Sequence, residues 1–143
     1  MKFDWDISEL TDFGEYVSDY SDIEPALMGA TREIAKVLHR YLLIQTPVQT
    51  GNLRKMWSAG DNLRFTVEKA ADGYFVTFIN EARAKSENGF MYGAAVNDGH
   101  KTPNGGGWVM GRFFVEKAML QTVHSSEIER IICNELQKWW DSL

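Results

Sequence analysis

The segment Thr46-Pro47-Val48-Gln49-Thr50-Gly51-Asn52-Leu53-Arg54 follows the longest amphipathic stretch of this 143-residue chain. Pro47 is predicted to end that helix, because proline lacks a backbone N–H and disfavours helical backbone at Thr46. The Thr50 hydroxyl is predicted to accept hydrogen bonds from the N–H groups that follow it, and Gly51 permits a tight turn. The segment is therefore a helix stop followed by a turn.

The residues after this turn are interpreted as packing or contact residues. Leu53 and Trp57 are four positions apart, so both are predicted to return to the core. Arg54 has a planar guanidinium that suits a carboxylate, in its own subunit or in the next one. An arginine solvated on a turn is the alternative for Arg54, since exposed ion pairs contribute little.

Upstream of the turn, Asp22 to Gln45 is predicted to be the longest helix. Pro25 lies in its first turn, where a missing N–H is harmless. The acidic, aromatic residues 1–20 are interpreted as a mobile or partner-binding arm, with a short helix over 8–20 as the alternative. The apolar residues of the long helix recur at spacings of three and four and form one stripe: Ile23, Leu27, Ala30, Ile34, Val37, Leu38, Tyr41 and Leu42.

Downstream of the turn, alternation predicts a half-buried strand over 62–69 and a more central strand over 74–79. Ala70 to Gly73 joins them as a hairpin turn, since Asp-Gly supplies positive φ. Residues 81–89 are predicted to form a flexible loop. Residues 90–98 are predicted to form a third strand, with a brief helix as the alternative.

The C-terminal third is predicted to contain a flexible glycine-rich loop over 99–107 and then two helices. The first helix begins at Gly111, and the chain pauses near 124–126, where a serine can cap the last helix. The whole chain, 1–143, is therefore predicted to be one α+β domain. Its antiparallel sheet of about three to four strands packs against the long helix and the C-terminal helices as a two-layer sandwich.

Composition narrows the class of protein. A hydrophobic content of 44% excludes simple disorder, and a net charge of −5 without a basic run argues against tight duplex binding. No apolar stretch of the sequence approaches the roughly 18 residues that a transmembrane helix needs, and no signal peptide is recognisable. The single cysteine, Cys133, is interpreted as a small core residue. These features predict a protein made in a cytoplasm and not bound to membrane.

The sequence offers little for catalysis. None of the three histidines has a second His or Cys at metal-ligand spacing, and His39 is interpreted as a partly buried structural residue. Asp98 and His100 are the best acid/base pair available, although a polar loop is the simpler interpretation. The loop 99–107 resembles a phosphate cradle in composition and lacks the GxxxxGK[ST] order. We therefore predict a protein that is not an enzyme, with no metal and no cofactor.

Three segments together resemble the phage family known as HK97 gp10-like proteins. Thr46–Trp57 is similar to the family's Thr/Ala-Pro-Val-Asx-Thr-Gly-x-Leu-Arg segment. Tyr92–His100 is similar to its Tyr-Ala-x-x-Val-Glu-x-Gly-Thr/His segment, although Gly93 and Asn97 replace Ala and Glu. Gly111–Ala118 is similar to the opening of its next helix. The matching residues that carry weight are Thr46, Pro47, Val48, Thr50, Gly51, Leu53, Arg54, Trp57, Tyr92, Gly99, His100, Gly111, Arg112 and Phe113.

The resemblance implies a structural role in the virion. Family members look like tail-completion, tail-terminator or head–tail joining proteins that act as rings, often of six copies, on the tube axis. It implies contacts with the chain's own copies and with tail-tube or connector proteins, while DNA passes through the lumen without specific binding. The virion neck or tail end, assembled in the bacterial cytoplasm, is the expected location. A small enzyme using Asp98 and His100, or an assembly chaperone outside the particle, remains as an alternative.

Trp139 and Trp140 form an adjacent aromatic pair near the end of the sequence. Neighbouring helical residues point about 100° apart, so one is predicted to face inward and the other outward. Trp is enriched at interface hot spots, which makes the pair a candidate partner contact.

Overall fold

The computed structural model describes residues 2–6, 23–48, 51–59, 62–63, 65–71, 73–83, 89, 91–102 and 104–142. The alternative helix over 8–20, Thr50 and most of the predicted loop 81–89 lie outside these ranges. The described strands are β1 (Lys2–Asp6), β2 (Ser58–Ala59), β3 (Asn62–Leu63), β4 (Phe65–Ala70), β5 (Gly73–Ile79), β6 (Gly99–Lys101) and β7 (Trp108–Met110). The described helices are α1 (Glu24–Gln45), α2 (Asn52–Lys55), α3 (Gly93–Asp98), α4 (Phe114–Val123) and α5 (Ser126–Asp141).

The predicted long helix is confirmed as α1, which begins at Glu24 and ends at Gln45. The helix contains ten buried residues, six of which belong to the predicted stripe, and the side chain of Thr31 donates to the Leu27 carbonyl oxygen at 2.7 Å. The α1 stripe contacts both the sheet and the C-terminal helices. The α+β class, with a long helix in the N-terminal half and helices near the C-terminus, is therefore confirmed.

The main sheet is antiparallel with the strand order β1-β5-β4. The predicted hairpin is confirmed, since β4 pairs with β5 across a turn that joins Ala70 to Gly73. Alternate residues of the central strand face the core: Tyr74 is 2% exposed, and Val76 and Phe78 are fully buried. β5 also pairs with β1, which is an edge strand of this sheet. The prediction of a mobile or partner-binding arm over 1–20 is therefore wrong for residues 2–6.

The third strand predicted over 90–98 is wrong. Residues 93–98 form α3, a single short helix, and β1 occupies the place of a third strand in the main sheet. A run as short and apolar as Ala94 to Val96 carries no period that separates strand from helix. Contacts with residues elsewhere in the chain therefore determine whether this segment forms a helix or a strand.

The glycine-rich segment 99–107 is also more ordered than predicted. Gly99–Lys101 forms β6, which pairs antiparallel with β7 (Trp108–Met110), and the described residues between the two strands, 102 and 104–107, belong to the connecting turn. The remaining two-stranded pair is β2 with β3. The backbone hydrogen bonds of the ladder, rather than apolar content, give this glycine-rich segment its structure.

The two C-terminal helices pack on α1. The first, α4, begins at Phe114 rather than at Gly111, and α5 is capped by Ser125, whose hydroxyl accepts from the N–H of Glu127 at 3.2 Å. Contacts between Arg40 and Glu127, and between Gly29 and Glu135, show that α5 runs antiparallel to α1. Among the described helices, none is long and apolar enough to cross a membrane.

Residues on α5 correct one prediction and confirm another. Cys133 is exposed, so its interpretation as a core residue is wrong. Trp139 packs inward against the apolar cluster at the start of α1, while Trp140 is 64% exposed. Their rings meet edge to face at 6.4 Å, as the 100° rotation between neighbouring helical residues allows.

Candidate functional site

Thr46 organises the end of α1. Its hydroxyl donates to the Leu42 carbonyl oxygen and accepts from the Trp57 indole N–H at 2.8 Å. Its own carbonyl oxygen accepts from Nη2 of Arg54 at 3.1 Å. Thr46 is 1% exposed, so these partners satisfy polar groups that burial would otherwise penalise. The helix stop and the turn therefore form one hydrogen-bonded unit.

The turn itself agrees with the sequence prediction. Gly51 has φ of +79°, the left-handed conformation that glycine adopts without strain, and α2 follows at once. Leu53 is 5% exposed and Trp57 is fully buried, so both return to the core as predicted. Val48 remains 55% exposed.

Within the described part of its own chain, Arg54 binds a carbonyl oxygen and not the predicted carboxylate, and a carboxylate of the next subunit stays a prediction. Its guanidinium binds the Thr46 carbonyl oxygen within the same turn. Nε of Arg54 is buried and has no hydrogen-bond partner among the described residues. One of the five N–H donors of the arginine side chain is used in this bond, and the buried Nε is not accessible to a partner from outside the chain.

His39 supports the same unit from α1. Its Nε2 lies 2.9 Å from the Trp57 carbonyl oxygen, so the ring is in the Nε2–H tautomer, and it stacks on Phe78 with the centroids 6.4 Å apart. Burial lowers the pKa of His39, and the hydrogen bond to Trp57 opposes part of that shift. The prediction of a structural histidine is confirmed.

Asn97 connects the segment 92–100 with the segment 111–118. Its Oδ1 accepts from the N–H of Val115 at 3.0 Å in the first turn of α4, and its carbonyl oxygen accepts from the N–H of Phe113 at 3.0 Å. Phe113 occupies the N-cap position with φ of +50°, and its phenyl side chain has no acceptor for a capping hydrogen bond, so Asn97 replaces the missing cap. Asn97 is 2% exposed, and nothing in its sequence context predicts this role.

The segments 46–57, 92–100 and 111–118 meet in the fold. The Trp57 ring packs edge-on against Phe114 at 6.4 Å, and Nδ2 of Asn52 lies 3.3 Å from the Tyr92 hydroxyl. Asn80, for which the sequence pattern predicts no role, donates to the Leu53 carbonyl oxygen at 2.8 Å. We call this set the motif junction; it comprises Thr46, Asn52, Leu53, Trp57, Asn80, Tyr92, Asn97, Phe113 and Phe114.

The proposed acid/base pair is not assembled in the described part of the chain. Asp98 accepts from Nδ2 of Asn97 at 2.7 Å, whereas Nδ1 of His100 lies 3.4 Å from the Ala95 carbonyl oxygen. The glycine-rich turn also differs from a phosphate cradle. The N–H groups of Gly105 and Gly107 both donate to oxygens of Thr102, so they are not directed at a ligand.

Two exposed apolar surfaces lie beside the motif junction. The first, which we call the hairpin patch, consists of Trp108, Val109, Met110 and Phe113, exposed by 60%, 43%, 73% and 45%. The second, the end groove, is a shallow depression of about 420 Å³ where α1 ends and α2 begins. It is lined by Leu43, Ile44, Gly51, Arg54 and Lys55.

Within the described ranges, no group of three or more His, Cys, Asp or Glu side chains could hold a metal ion. No protein-family model, no curated protein and no solved structure matches the chain. The candidate site is thus defined by the motif junction and by the two apolar surfaces next to it.

Proposed function

We propose that this chain is a structural virion protein of a tailed phage, or of a phage-derived tail particle, that forms a ring at the neck or tail end. The observation that carries the proposal is the motif junction. Three segments that resemble one phage family in order and spacing also contact each other through Trp57, Phe114, Asn52 and Tyr92. Resemblance confined to one local turn would carry far less weight.

The exposed apolar surfaces support a role in assembly. Several exposed large apolar side chains on one small domain are typical of contact sites. The hairpin patch and the end groove use residues adjacent to the junction, so the same fold that joins the three segments also holds both surfaces in place. A ring of about six copies, in contact with tail-tube or connector proteins, would bury such surfaces on both sides of each subunit.

The charge of the chain suits a channel for DNA. A net charge of −5 would repel passing phosphates and prevent specific binding, so DNA would slide through the lumen. Mapping of the lumen in an assembled ring tests this point, and a basic lumen would contradict it.

Deletion of the gene, followed by electron microscopy and mass spectrometry of purified particles, tests the proposed function. Tails without heads and of abnormal length indicate a terminator, whereas full heads beside tails of normal length indicate a joining protein. Normal particles from the deletion strain would refute a virion role. A protein that is required for assembly and absent from purified particles would be an assembly chaperone instead.

A further inference from the structure

The turn that joins β6 to β7 exposes an asparagine followed directly by a glycine. Asn104 and Gly105 both face solvent, and the Asn104 side chain makes no hydrogen bond within the described part of the chain. A Cβ built on Gly105 would meet no described atom within 4 Å, so no described neighbour crowds this peptide bond. The side-chain amide of Asn104 and the backbone nitrogen of Gly105 are therefore free to react with each other.

Two other asparagines are protected by burial and by hydrogen bonds. Asn80 and Asn97 are 1% and 2% exposed. The side chain of Asn80 donates to the Leu53 carbonyl oxygen at 2.8 Å and accepts from the N–H of Ala82 at 3.0 Å. The side chain of Asn97 accepts from the N–H of Val115 at 3.0 Å. Both are followed by an acidic residue rather than by glycine, so Asn104 differs from them in packing and in sequence.

One hydrogen bond restrains the pair at the turn. The N–H of Gly105 donates to the Thr102 carbonyl oxygen at 3.0 Å, so this nitrogen must leave its partner before it can act as a nucleophile. The N–H of Gly107 also binds Thr102, through the hydroxyl at 3.1 Å. These bonds lie at the exposed end of a two-stranded pair, where local opening costs little free energy. The turn therefore slows a reaction at Asn104 without preventing it.

We propose that Asn104 is a site of spontaneous deamidation. The Gly105 nitrogen attacks the side-chain carbonyl carbon of Asn104 and forms a carbon–nitrogen bond. The side-chain amide nitrogen leaves as ammonia, with the proton that the Gly105 nitrogen gives up. Water then opens the cyclic imide, at the side-chain carbonyl to yield aspartate or at the main-chain carbonyl to yield isoaspartate. Glycine favours the attack because it has no Cβ beside the nitrogen.

The reaction changes both the charge and the backbone of the turn. Each product adds one negative charge to a chain whose net charge is −5. Isoaspartate also routes the main chain through the side-chain carbon, which lengthens the turn and displaces Gly105 from Thr102. Amide hydrogens of the turn should exchange faster in the isoaspartate product, while those of α4 should not change. The reaction needs only water, so it does not depend on the proposed function.

Incubation of the native protein in neutral and in mildly alkaline buffer, followed by tryptic digestion and mass spectrometry, tests the proposal. Trypsin releases residues 102–112, in which Asn104 is the only asparagine. The fraction of this peptide that carries an acid should rise with time, and faster in alkaline buffer, because the attacking nitrogen must lose its proton. Residues 70–83 form a separate peptide whose only asparagine, Asn80, should keep its amide. A sample digested at the start corrects for reaction during digestion.

A synthetic peptide of residues 102–112 gives the rate without the fold. The native protein should react about two- to tenfold more slowly, since the bond from Gly105 to Thr102 must open first. If Asn104 keeps its amide in the native protein after the synthetic peptide has been converted, the proposal is overturned. Equal conversion at Asn80 and Asn104 would overturn it too, because the reaction would then take place in the unfolded chain.

Two matched alanine variants identify the attacking group. Gly105→Ala places a Cβ beside the nitrogen and should slow the conversion by roughly an order of magnitude. Gly106→Ala makes the same change one residue later, where a Cβ also meets no described atom within 4 Å, and should leave the rate unchanged. Circular dichroism checks that both variants fold. Equal rates in the two variants would show that the Gly105 nitrogen is not the nucleophile and would overturn the proposal.

Discussion

Thr46 joins a helix end, an aromatic core residue and an arginine through a single hydroxyl and a single carbonyl. Thr46→Val keeps the shape and removes the oxygen that binds Leu42 and Trp57. Loss of a buried acceptor costs about 1–3 kcal/mol, so the free energy of unfolding measured in urea should fall by that amount. Thr66→Val on the exposed face of β4 is the control, with a change within about 0.5 kcal/mol. Equal effects at both positions would contradict the role of Thr46.

His39 gives the stability of the fold a defined dependence on pH. Burial lowers its pKa in the folded state below the ordinary value of 6.5, so the unfolded chain binds a proton first as the pH falls. Stability from this group is fully present above pH 6.5 and is lost progressively from there down to the folded-state pKa. Acidification from pH 7.5 to 5.5 should lower the free energy of unfolding of the unsubstituted protein more than that of the His39→Gln variant. If the free energies of unfolding of the two proteins, measured in urea, change equally with pH, the pKa of His39 is not lowered by folding.

Residues whose neighbours are local in sequence were predictable, and those with distant partners were not. Pro47, Gly51, Leu53 and Trp57 behave as their spacing predicts. Asn97 resembles an ordinary polar residue at the end of a short apolar run. Its role depends on Val115, eighteen positions later, which no local pattern records.

Among the elements, the β6–β7 hairpin depends on one glycine. Gly99 has φ of +90°, and a Cβ there would lie 2.6 Å from the Val109 carbonyl oxygen. Gly99→Ala should therefore destabilise the protein by about 1–3 kcal/mol through strain and displacement of β7. Gly106→Ala, where a Cβ meets no atom within 4 Å, should change stability by less than about 0.5 kcal/mol. The melting temperatures of the Gly99→Ala and Gly106→Ala variants measure the difference. Equal melting temperatures would mean that the close approach of Gly99 to β7 does not contribute to stability.

The type of an element, helix or strand, could be predicted from the sequence where the hydrophobic pattern repeats several times. The stripe of α1 and the alternation of β5 each repeat several times, so the predictions over 22–45 and 74–79 agree with the structure to within a few residues. The single strand predicted over 62–69 is instead divided between β3, which pairs with β2, and β4, which pairs with β5. The segment 90–98 is too short to show a period, and it forms a helix. Pairing of β1 with β5 joins residues that are 69 to 77 positions apart, so its cause is tertiary.

At the scale of the whole molecule, stability is unevenly distributed along the helices. α1 contains ten buried residues, whereas α5 contains none and packs only through partly exposed side chains such as Ile131 and Leu136. Amide hydrogens of α5 should therefore exchange faster than those in the middle of α1, because local opening of α5 exposes less apolar surface. Hydrogen exchange followed by mass spectrometry measures this. Equal protection in the two helices would indicate a single cooperative unit.

The pairing of β1 with β5 also governs the order in which the chain can fold during synthesis. Lys2 leaves the ribosome long before its partner Ile79, and the ribosome adds roughly 5–20 residues each second. The backbone N–H and C=O groups of β1 therefore stay unpaired for several seconds, whereas α1 can form as soon as it leaves the ribosome. Translation speed between codons 7 and 79 consequently sets how long a bare strand edge is open to other nascent chains on the same message.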